Sequence, residues 1–251
     1  MSLEGRVAMV TGGGRGIGKG ISMALAEEGA SVAIIYRRDE EAARQTAGEI
    51  EALGSKAAIY GADVTDYEAI KRAVDEAVRT FGKIDILVNN AGIASRGRAV
   101  LDTEVAELRR VMETHTIGAF CITQAVLPIM RRQPRGDIIF ISSVATELLN
   151  PYGAPYNMAK AALEALAMTL AKEERPNNIR VNVIRSGLVE TVMGERLAKA
   201  TMGVKDIKDL YPVSPFGRVG IPSDAGKTVA FLCSKGAEYI TGATIKVSGG
   251  M

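Results

Sequence analysis

Residues 6–18 read RVAMVTGGGRGIG, an apolar run followed at once by a glycine-rich loop. The run predicts a buried β-strand over 6–10, and the residues from 17 onward have the periodicity of a helix. Glycine permits a tight turn and a close backbone approach to a ligand, and the start of a helix offers free N–H groups. Although a merely flexible turn is the alternative, the stretch predicts a strand–loop–helix unit that binds a pyrophosphate through Gly12, Gly14, Arg15, Gly16, Ile17 and Gly18.

The same alternation of apolar runs and helical segments continues along the chain. Most runs are nearly continuous in apolar residues, as in strands that helices cover on both faces. We therefore predict a single α/β domain over residues 1–251, with a Rossmann-type doubly wound sheet of about seven mainly parallel strands. Strands are predicted at 6–10, 31–35, 57–60, 84–88, 137–141, 179–184 and 243–247, and helices at 17–28, 40–53, 67–80, 103–130, 154–174 and 223–233, with Asp66 and Ser223 as N-caps and Gly29 and Gly54 after helix ends.

The segment 190–220 does not fit this alternation, because it mixes charged residues with Gly203, Pro212, Pro215 and Gly217. A long irregular segment directly after a strand is typical of a binding loop. We expect a substrate-binding loop or lid here.

The composition limits the classes of ligand and partner. Hydrophobic residues make up 47% of the 251 residues and charged residues 24%, which is usual for a globular protein. A net charge of +2 argues against a nucleic-acid partner, and no apolar run has the length of a membrane span or the character of a secretion signal. With one histidine and only Cys121 and Cys233, we expect no metal site and two buried, reduced thiols in a cytoplasmic protein.

The end of the second predicted strand bears on the type of nucleotide. An NAD site places a carboxylate there to bind the ribose hydroxyls. The chain has Arg37 and Arg38 instead, and Arg15 of the glycine loop would reach the same region, whereas Asp39 is expected to begin the next helix. Because guanidinium groups bind phosphates through paired hydrogen bonds, the pattern favours NADP(H). NAD(H) stays open, since a solvated basic turn has the same sequence.

Tyr156 and Lys160 are four residues apart in a segment of helical periodicity, so their side chains share one helix face. A nearby ammonium group favours the phenolate and lowers the pKa of a tyrosine toward the working range of an acid–base catalyst. Such a pair also occurs by chance on surface helices. Ser143, which follows the predicted strand 137–141, adds a third polar group and favours a catalytic interpretation.

These motifs occur in the order and spacing of the short-chain dehydrogenase/reductase family, which essentially the whole chain resembles. The resemblance implies that Asp63, with Val64, contacts the adenine. It also implies that Thr191 anchors the nicotinamide carboxamide and that residues 184–187 lie against the nicotinamide ring. The matching segments are the glycine loop 11–18, Asp63-Val64, Asn89-Asn90-Ala91-Gly92 lining the nucleotide cleft, Ser143, Tyr156, Lys160, the segment 186–191 that includes Gly187, and Ser248-Gly249-Gly250.

For the reaction, the resemblance implies hydride transfer between a nicotinamide and the carbon of a small-molecule carbonyl or alcohol. Ser143 would hold the carbonyl oxygen and Tyr156 would deliver the proton. Lys160 would bind the nicotinamide ribose and keep the pKa of the tyrosine low. The expected activity is reduction of a ketone to a secondary alcohol, or the reverse.

Two positions depart from the family pattern. His115 stands where the family has an asparagine that holds a water in a proton relay. An imidazole has one donor and one acceptor when neutral and titrates close to neutrality, so His115 is expected either to serve this relay or to be a structural residue bonded to the backbone. Arg185-Ser186-Gly187 replaces the usual Pro-Gly, and Arg185 would either bind an anionic substrate group or point to solvent.

Other functions stay open on sequence alone. One is NAD-dependent oxidation of a sugar or secondary alcohol, and another is a non-catalytic nucleotide-binding regulatory protein, against which the Ser143, Tyr156 and Lys160 set argues. Within reductases, 3-oxoacyl carrier-protein reduction is one expected activity, because much of the family has it. The family also implies a homotetramer, with the helices 103–130 and 154–174 at an interface.

Overall fold

The apolar runs of the sequence form a parallel sheet in the computed structural model, which describes residues 2–250. The sheet has seven strands in the order β3-β2-β1-β4-β5-β6-β7, and each neighbouring pair is parallel. This arrangement confirms the predicted doubly wound sheet. The strands are β1 (Val7–Thr11), β2 (Ser31–Tyr36), β3 (Ala57–Gly61), β4 (Ile86–Asn89), β5 (Gly136–Ser143), β6 (Ile179–Ser186) and β7 (Thr244–Val247).

Helices cover both faces of the sheet and bury a separate apolar cluster on each. Ile21 of α1, Ile50 of α2 and Val229 of α9 belong to one cluster, and Ile70 of α3 and Ile122 of α5 belong to the other. The helices are α1 (Gly16–Glu27), α2 (Glu40–Ala52), α3 (Tyr67–Phe81), α4 (Val105–Met112), α5 (Gly118–Met130), α6 (Ala145–Leu148), α7 (Ala154–Glu173), α8 (Val192–Met202) and α9 (Pro222–Cys233). Between residues 2 and 250, none of them has the length and apolar composition that a membrane crossing requires.

Several local predictions differ from the structure. The predicted helix 103–130 is interrupted by a π-helical turn over Glu113–Ile117, between α4 and α5. The segment 190–220 is less irregular than expected, because it contains α8 and a 3₁₀ helix over Ile207–Val213.

Helix caps and cysteines were predicted with mixed success. Asp66 caps α3 by accepting a hydrogen bond from the Ala69 N–H at 3.0 Å, as expected. Ser223 is not a cap, since α9 begins at Pro222 and the N-cap position is Ile221. Both cysteines are unpaired as predicted, although only Cys233 is buried, while Cys121 is partly exposed.

The strand order reverses between β1 and β4, which lie side by side in the sheet. The connections after these two strands leave in opposite directions, so a crevice opens at their carboxyl ends. The glycine loop after β1 and residues 90–92 after β4 border that crevice. Ligand binding is therefore expected at this edge of the sheet.

At the amino ends of the strands, opposite the crevice, a buried cluster of charged side chains surrounds Asp137, at the start of β5. Its carboxylate pairs with Arg6 at 2.6 Å, Arg135 at 3.1 Å and Arg180 at 2.5 Å. Arg6 precedes β1 and Arg180 lies in β6, so the cluster ties three parts of the sheet together. This contact fixes the start of the strand whose other end carries Ser143.

Candidate active site

The glycine loop connects β1 directly to α1. Gly12 and Gly16 have φ angles of +65° and +53°, a region in which glycine is favoured. A Cβ on Gly18 would lie 2.0 Å from the Gly12 carbonyl oxygen, so only glycine fits at this position. Arg15, the N-cap of α1, makes no side-chain capping bond. The first N–H groups of α1 are thus not satisfied by its cap and can bind a phosphate.

Thr11, which sequence reasoning did not single out as a site residue, links the two sides of the crevice. Its hydroxyl donates to the Val88 carbonyl at 3.2 Å and accepts from the N–H groups of Asn90 and Ala91, both at 2.9 Å. The Asn90 amide in turn donates to the Thr11 carbonyl at 2.8 Å. Asn90 and Ala91 therefore lie beside the glycine loop, where the nucleotide cleft was predicted.

The three arginines predicted to favour NADP(H), Arg15, Arg37 and Arg38, lie at the β2 end of the crevice. Two of them pair with carboxylates. Arg37 lies 3.5 Å from Asp63, and Arg15 lies 3.3 Å from Asp39. Asp39 caps α2 by accepting from the Ala42 N–H, as its sequence position suggested. Arg38 is exposed.

Asp63 and Val64 follow β3, and they lie in different surroundings. Burial raises the pKa of Asp63, but hydrogen bonds from Thr65 and the charge of Arg37 outweigh it and hold that pKa below its usual value. Val64 is buried and packs on the start of α5, where a Cβ on Gly118 would lie 2.9 Å from its side chain. The Asp63 carboxylate is thus charged at neutral pH and pairs with Arg37.

The structure brings Ser143, Tyr156 and Lys160 together. Ser143 ends β5, while Tyr156 and Lys160 lie on one face in the first turns of α7. The Ser143 side chain lies close enough to the Tyr156 hydroxyl to lower the pKa of the phenol. The Lys160 ammonium donates to the Ile141 carbonyl at 2.7 Å and lies 5.7 Å from the centre of the Tyr156 ring.

Burial governs the acid–base properties of this group. It raises the pKa of Tyr156 above its ordinary value, and the nearby Ser143 side chain offsets only part of the rise. Burial also lowers the pKa of Lys160 to about 7, an effect that the charge of Glu164 opposes. The expected lowering of the tyrosine pKa by Lys160 is absent from this arrangement, because desolvation dominates.

His115 lies in the π-helical turn with its ring edge-on to Tyr156, at 5.3 Å between ring centres and 86° between planes. Its Nε2 atom lies 3.0 Å from the backbone nitrogen of Ile93 and 2.8 Å from the Ile93 oxygen. Within residues 2–250, its buried Nδ1 atom has no hydrogen-bond partner. Burial, with a contribution from Lys160, lowers the pKa of His115 to about 3, so the imidazole does not titrate near neutrality as its residue type had suggested.

The residues predicted at the nicotinamide lie at the β6 end of the crevice. Gly187 directly follows β6, and a Cβ at this position would lie 2.8 Å from Ser248. Thr191 caps α8 through a hydrogen bond from the Gly194 N–H at 3.0 Å. A Cβ on Gly16 would lie 3.5 Å from the Thr191 methyl group, which places Thr191 directly beside the glycine loop.

Arg185 takes neither of the two positions expected for it. Its guanidinium binds the Glu164 carboxylate through two hydrogen bonds, of 2.9 and 2.6 Å, and Glu147 through a third of 2.5 Å. Sequence reasoning also missed Glu164, whose only signal was its place one turn after Lys160 on the same helix face.

Comparison with known proteins agrees with this geometry. A family model described as enoyl-(acyl carrier protein) reductase matches residues 12–251. An uncharacterized oxidoreductase of Methylorubrum extorquens is 39% identical over 99% of this chain and 98% of its own length. A 3-oxoacyl-(acyl-carrier-protein) reductase of Thermotoga maritima is 36% identical over 100% of this chain and 99% of its own. The chain belongs to the short-chain dehydrogenase/reductase family.

Solved structures of this family superpose closely. The crystal structure of an NAD⁺-bound xylitol dehydrogenase matches with a TM-score of 0.92 and 33% identity, over 99% of this chain and 100% of the other. The chain is accordingly an oxidoreductase of a family that binds NAD(P)(H) and acts on alcohol and oxo groups.

The burial of His115 predicts that its imidazole stays neutral across the neutral range. It is the only histidine of the chain, so its ring resonances can be followed by NMR without assignment by mutation. With a folded-state pKa of about 3, they should not shift between pH 5 and 9. Because an unfolded histidine titrates at about pH 6.5, the unfolded chain takes up this proton first, and stability should fall as the pH drops below that value.

The control is His115→Asn, in which this part of the pH dependence of the unfolding free energy should disappear. A His115 resonance that titrates at pH 6–7 in the folded protein would contradict the account.

Proposed function

We propose that the protein reduces a ketone or other oxo group to a secondary alcohol with NADP(H). The observation that carries this proposal is the convergence of Ser143, Tyr156 and Lys160 at the carboxyl edge of the sheet that also holds the glycine loop. A hydroxyl pair and an ammonium group beside a phosphate-binding helix start suit a carbonyl and a nicotinamide nucleotide.

The residues present fit a dinucleotide. The glycine loop leaves the start of α1 open for the pyrophosphate, through the N–H groups of Gly16, Ile17 and Gly18. A Cβ on Gly12 would lie 3.1 Å from the Asn90 amide nitrogen and one on Gly14 would lie 2.8 Å from the Ala43 backbone, so these glycines let the loop pack closely on its neighbours. The adenine end of the crevice has Asp63 and Val64. At the other end we place the nicotinamide against Gly187 and Thr191, with Ala91 and Gly92 between the two ends. When bound, the cofactor supplies the hydride that reaches the carbonyl carbon.

The side chains then handle the oxygen of the substrate. The Ser143 hydroxyl donates a hydrogen bond to the carbonyl oxygen and orients it toward Tyr156. Tyr156 gives up its phenolic proton as the alkoxide forms. Its raised pKa keeps the phenol protonated at neutral pH, which suits the direction of reduction. Lys160 holds a positive charge near the phenolate that remains, and its position also suits binding to the ribose.

For the resupply of that proton we keep His115 as the proposed relay residue. Since Nε2 is bonded to the backbone of Ile93, the neutral imidazole would hold a water at its Nδ1 atom, and the proton would pass through that water. The ring stands against Tyr156, which places it close enough for such a role. The structural role, holding the segment that follows β4, is compatible with the same contacts.

Tyr156→Phe should lower kcat for carbonyl reduction by about two to four orders of magnitude, because it removes a positioned proton donor. Affinity for NADPH, measured by fluorescence titration, should change far less than kcat, since Tyr156 is only one of the many residues proposed to bind the nucleotide. Tyr239→Phe, at an exposed tyrosine with no part in the proposed site, is the matched control. Wild-type turnover by Tyr156→Phe would refute the proposed proton donor.

The choice of NADP(H) rests on Arg15, Arg37 and Arg38 at the adenosine end of the crevice. An exposed ion pair between a guanidinium and a carboxylate contributes only about 0–1 kcal/mol. Exchanging that carboxylate for a doubly charged phosphate therefore costs little free energy. The alternative is an NAD-dependent alcohol or sugar dehydrogenase, which the similarity to the NAD⁺-bound xylitol dehydrogenase favours.

Replacing Arg37 and Arg38 together by alanine should raise the KM for NADPH by roughly tenfold or more, since each charged hydrogen bond contributes about 1.5–3 kcal/mol. The KM for NADH should change little, because NADH has no 2′-phosphate. Arg72→Ala and Arg79→Ala, on the surface of α3, serve as charge-matched controls. Equal effects on the two cofactors, or tighter use of NADH by the wild type, would support the alternative.

The substrate is proposed to enter beside the segment 190–220. Val192, Met193 and Leu197 of α8 are exposed, as are Leu149 and Tyr152 between α6 and α7. Such side chains favour an apolar substituent next to the carbonyl, as in a 3-oxoacyl thioester. We place the reaction in the cytoplasm, in line with the two unpaired cysteines.

We further propose a homotetramer. Phe120 of α5 and Met158 of α7 are about half exposed, and Phe231 of α9 is similar, an arrangement that favours burial against copies of the chain. Sedimentation velocity should give a tetramer at micromolar concentration, and Phe120→Glu should dissociate it. A wild-type protein that sediments only as a monomer would refute the assembly.

A further inference from the structure

The Glu164 carboxylate receives hydrogen bonds from three segments of the chain. The Ser142 hydroxyl donates to it at 2.6 Å, and the Thr146 hydroxyl does so at 3.0 Å. Arg185 binds both carboxylate oxygens, at 2.9 and 2.6 Å. The Glu164 side chain is only 12% exposed, so these contacts are shielded from solvent.

Each of these partners adjoins a residue of the active site. Ser142 immediately precedes Ser143 in β5, and the Thr146 hydroxyl oxygen also lies 3.0 Å from the Ser143 carbonyl oxygen. Arg185 immediately precedes Ser186, which lies opposite Ser143 in the pairing of β5 with β6. Glu164 itself is one turn after Lys160 and two turns after Tyr156 on α7, so it shares their helix face.

Arg185 also binds a second carboxylate besides that of Glu164. Its Nη1 atom donates to Glu147 of α6 at 2.5 Å, and Glu147 also pairs with Lys246 of β7. A bidentate guanidinium fixes both the distance and the plane of the carboxylate that it binds. The Glu164–Arg185 pair thus clamps α7 to the ends of β5 and β6.

We propose that Glu164 and Arg185 are positioning residues for the reaction, a charge-balanced clamp that holds the helix of Tyr156 and Lys160 in register with the strand end that carries Ser143. This inference rests on the proposed function, and it assigns to Arg185 a role in place of substrate binding.

The clamp also has an electrostatic effect on Lys160. Burial raises the pKa of Glu164, but the hydrogen bonds from Arg185, Ser142 and Thr146 outweigh it, so the carboxylate is charged at neutral pH. Its negative charge raises the pKa of Lys160 against the effect of burial. Arg185 is a cation beside the same carboxylate and limits that effect. The other ionisable groups around Lys160 are Tyr156 on α7 and the neutral His115 from the π-helical turn, with Glu147 of α6 bound to Arg185.

The two members of the clamp should therefore shift the titration of Lys160 in opposite directions. Glu164→Gln removes the anion, leaves a cation nearby and should lower the pKa of Lys160. Arg185→Gln leaves the anion uncompensated and should raise that pKa. We expect shifts of about 0.5 pH unit or more, a roughly threefold change in the ratio of charged to neutral Lys160 at a given pH.

The measurement is an NMR titration of protein labelled with ¹³C-lysine, in which Lys160 is assigned by comparison with Lys160→Arg. The alkaline limb of kcat/KM for reduction should move with it, to lower pH in Glu164→Gln and to higher pH in Arg185→Gln. The double variant should return toward the wild-type pKa.

Glu174→Gln is the matched control, because Glu174 is a buried carboxylate at the far end of α7, bound in the same two-pronged way by Arg131. It should alter thermal stability without moving the Lys160 titration. Shifts in the same direction for both clamp variants, or no shift beyond that of Glu174→Gln, would overturn the proposal. A wild-type protein that reduces no carbonyl would refute the proposed function separately, since the titration requires no turnover.

Discussion

The hydrogen bonds of the buried Thr11 hydroxyl join the two halves of the sheet at the point where strand order reverses. One oxygen atom bonds the Val88 carbonyl and the N–H groups of Asn90 and Ala91, and so fixes the ends of β1 and β4 side by side. The glycine loop leaves β1 from this point, while the residues after β4 line the crevice. The open start of α1 depends on this junction because α1 follows the glycine loop that leaves β1. The position of His115 depends on it because His115 contacts Ile93, which lies in the segment after β4.

Burial shifts the pKa values of the ionisable side chains in the site. Lys160 is buried and Tyr156 is partly buried, and desolvation raises the pKa of the phenol and lowers that of the ammonium. A protonated tyrosine is the form that a reductase needs at neutral pH. Burial lowers the pKa of Lys160 to about 7 although the negative charge of Glu164 opposes this effect and favours the ammonium form. The Glu164–Arg185 ion pair therefore positions the helix of Tyr156 and Lys160 without contacting the reacting atoms.

The sequence was sufficient for the sheet, because its strands are nearly continuous apolar runs bounded by loops, and for Ser143, Tyr156 and Lys160, because strand ends and helical spacing fix their places. It was not sufficient for α8, whose charged and methionine-rich sequence has no clear apolar stripe. The partner of Arg185 lies 21 residues away on another element, so only tertiary packing reveals it. The pKa of His115 depends on burial that its residue type does not show, and the expectation of titration near neutrality was wrong for that reason.

The most direct test of the central claim is to follow the hydride itself. The protein is incubated with a 3-oxoacyl thioester or a simple ketone and NADPH that carries deuterium on the transferable C4 position, and the product is analysed by NMR and mass spectrometry. The account predicts one deuterium on the carbinol carbon of the alcohol and none on its oxygen after exchange into water. An alcohol product without deuterium on that carbon, or no turnover of any carbonyl by the wild-type protein, would contradict it.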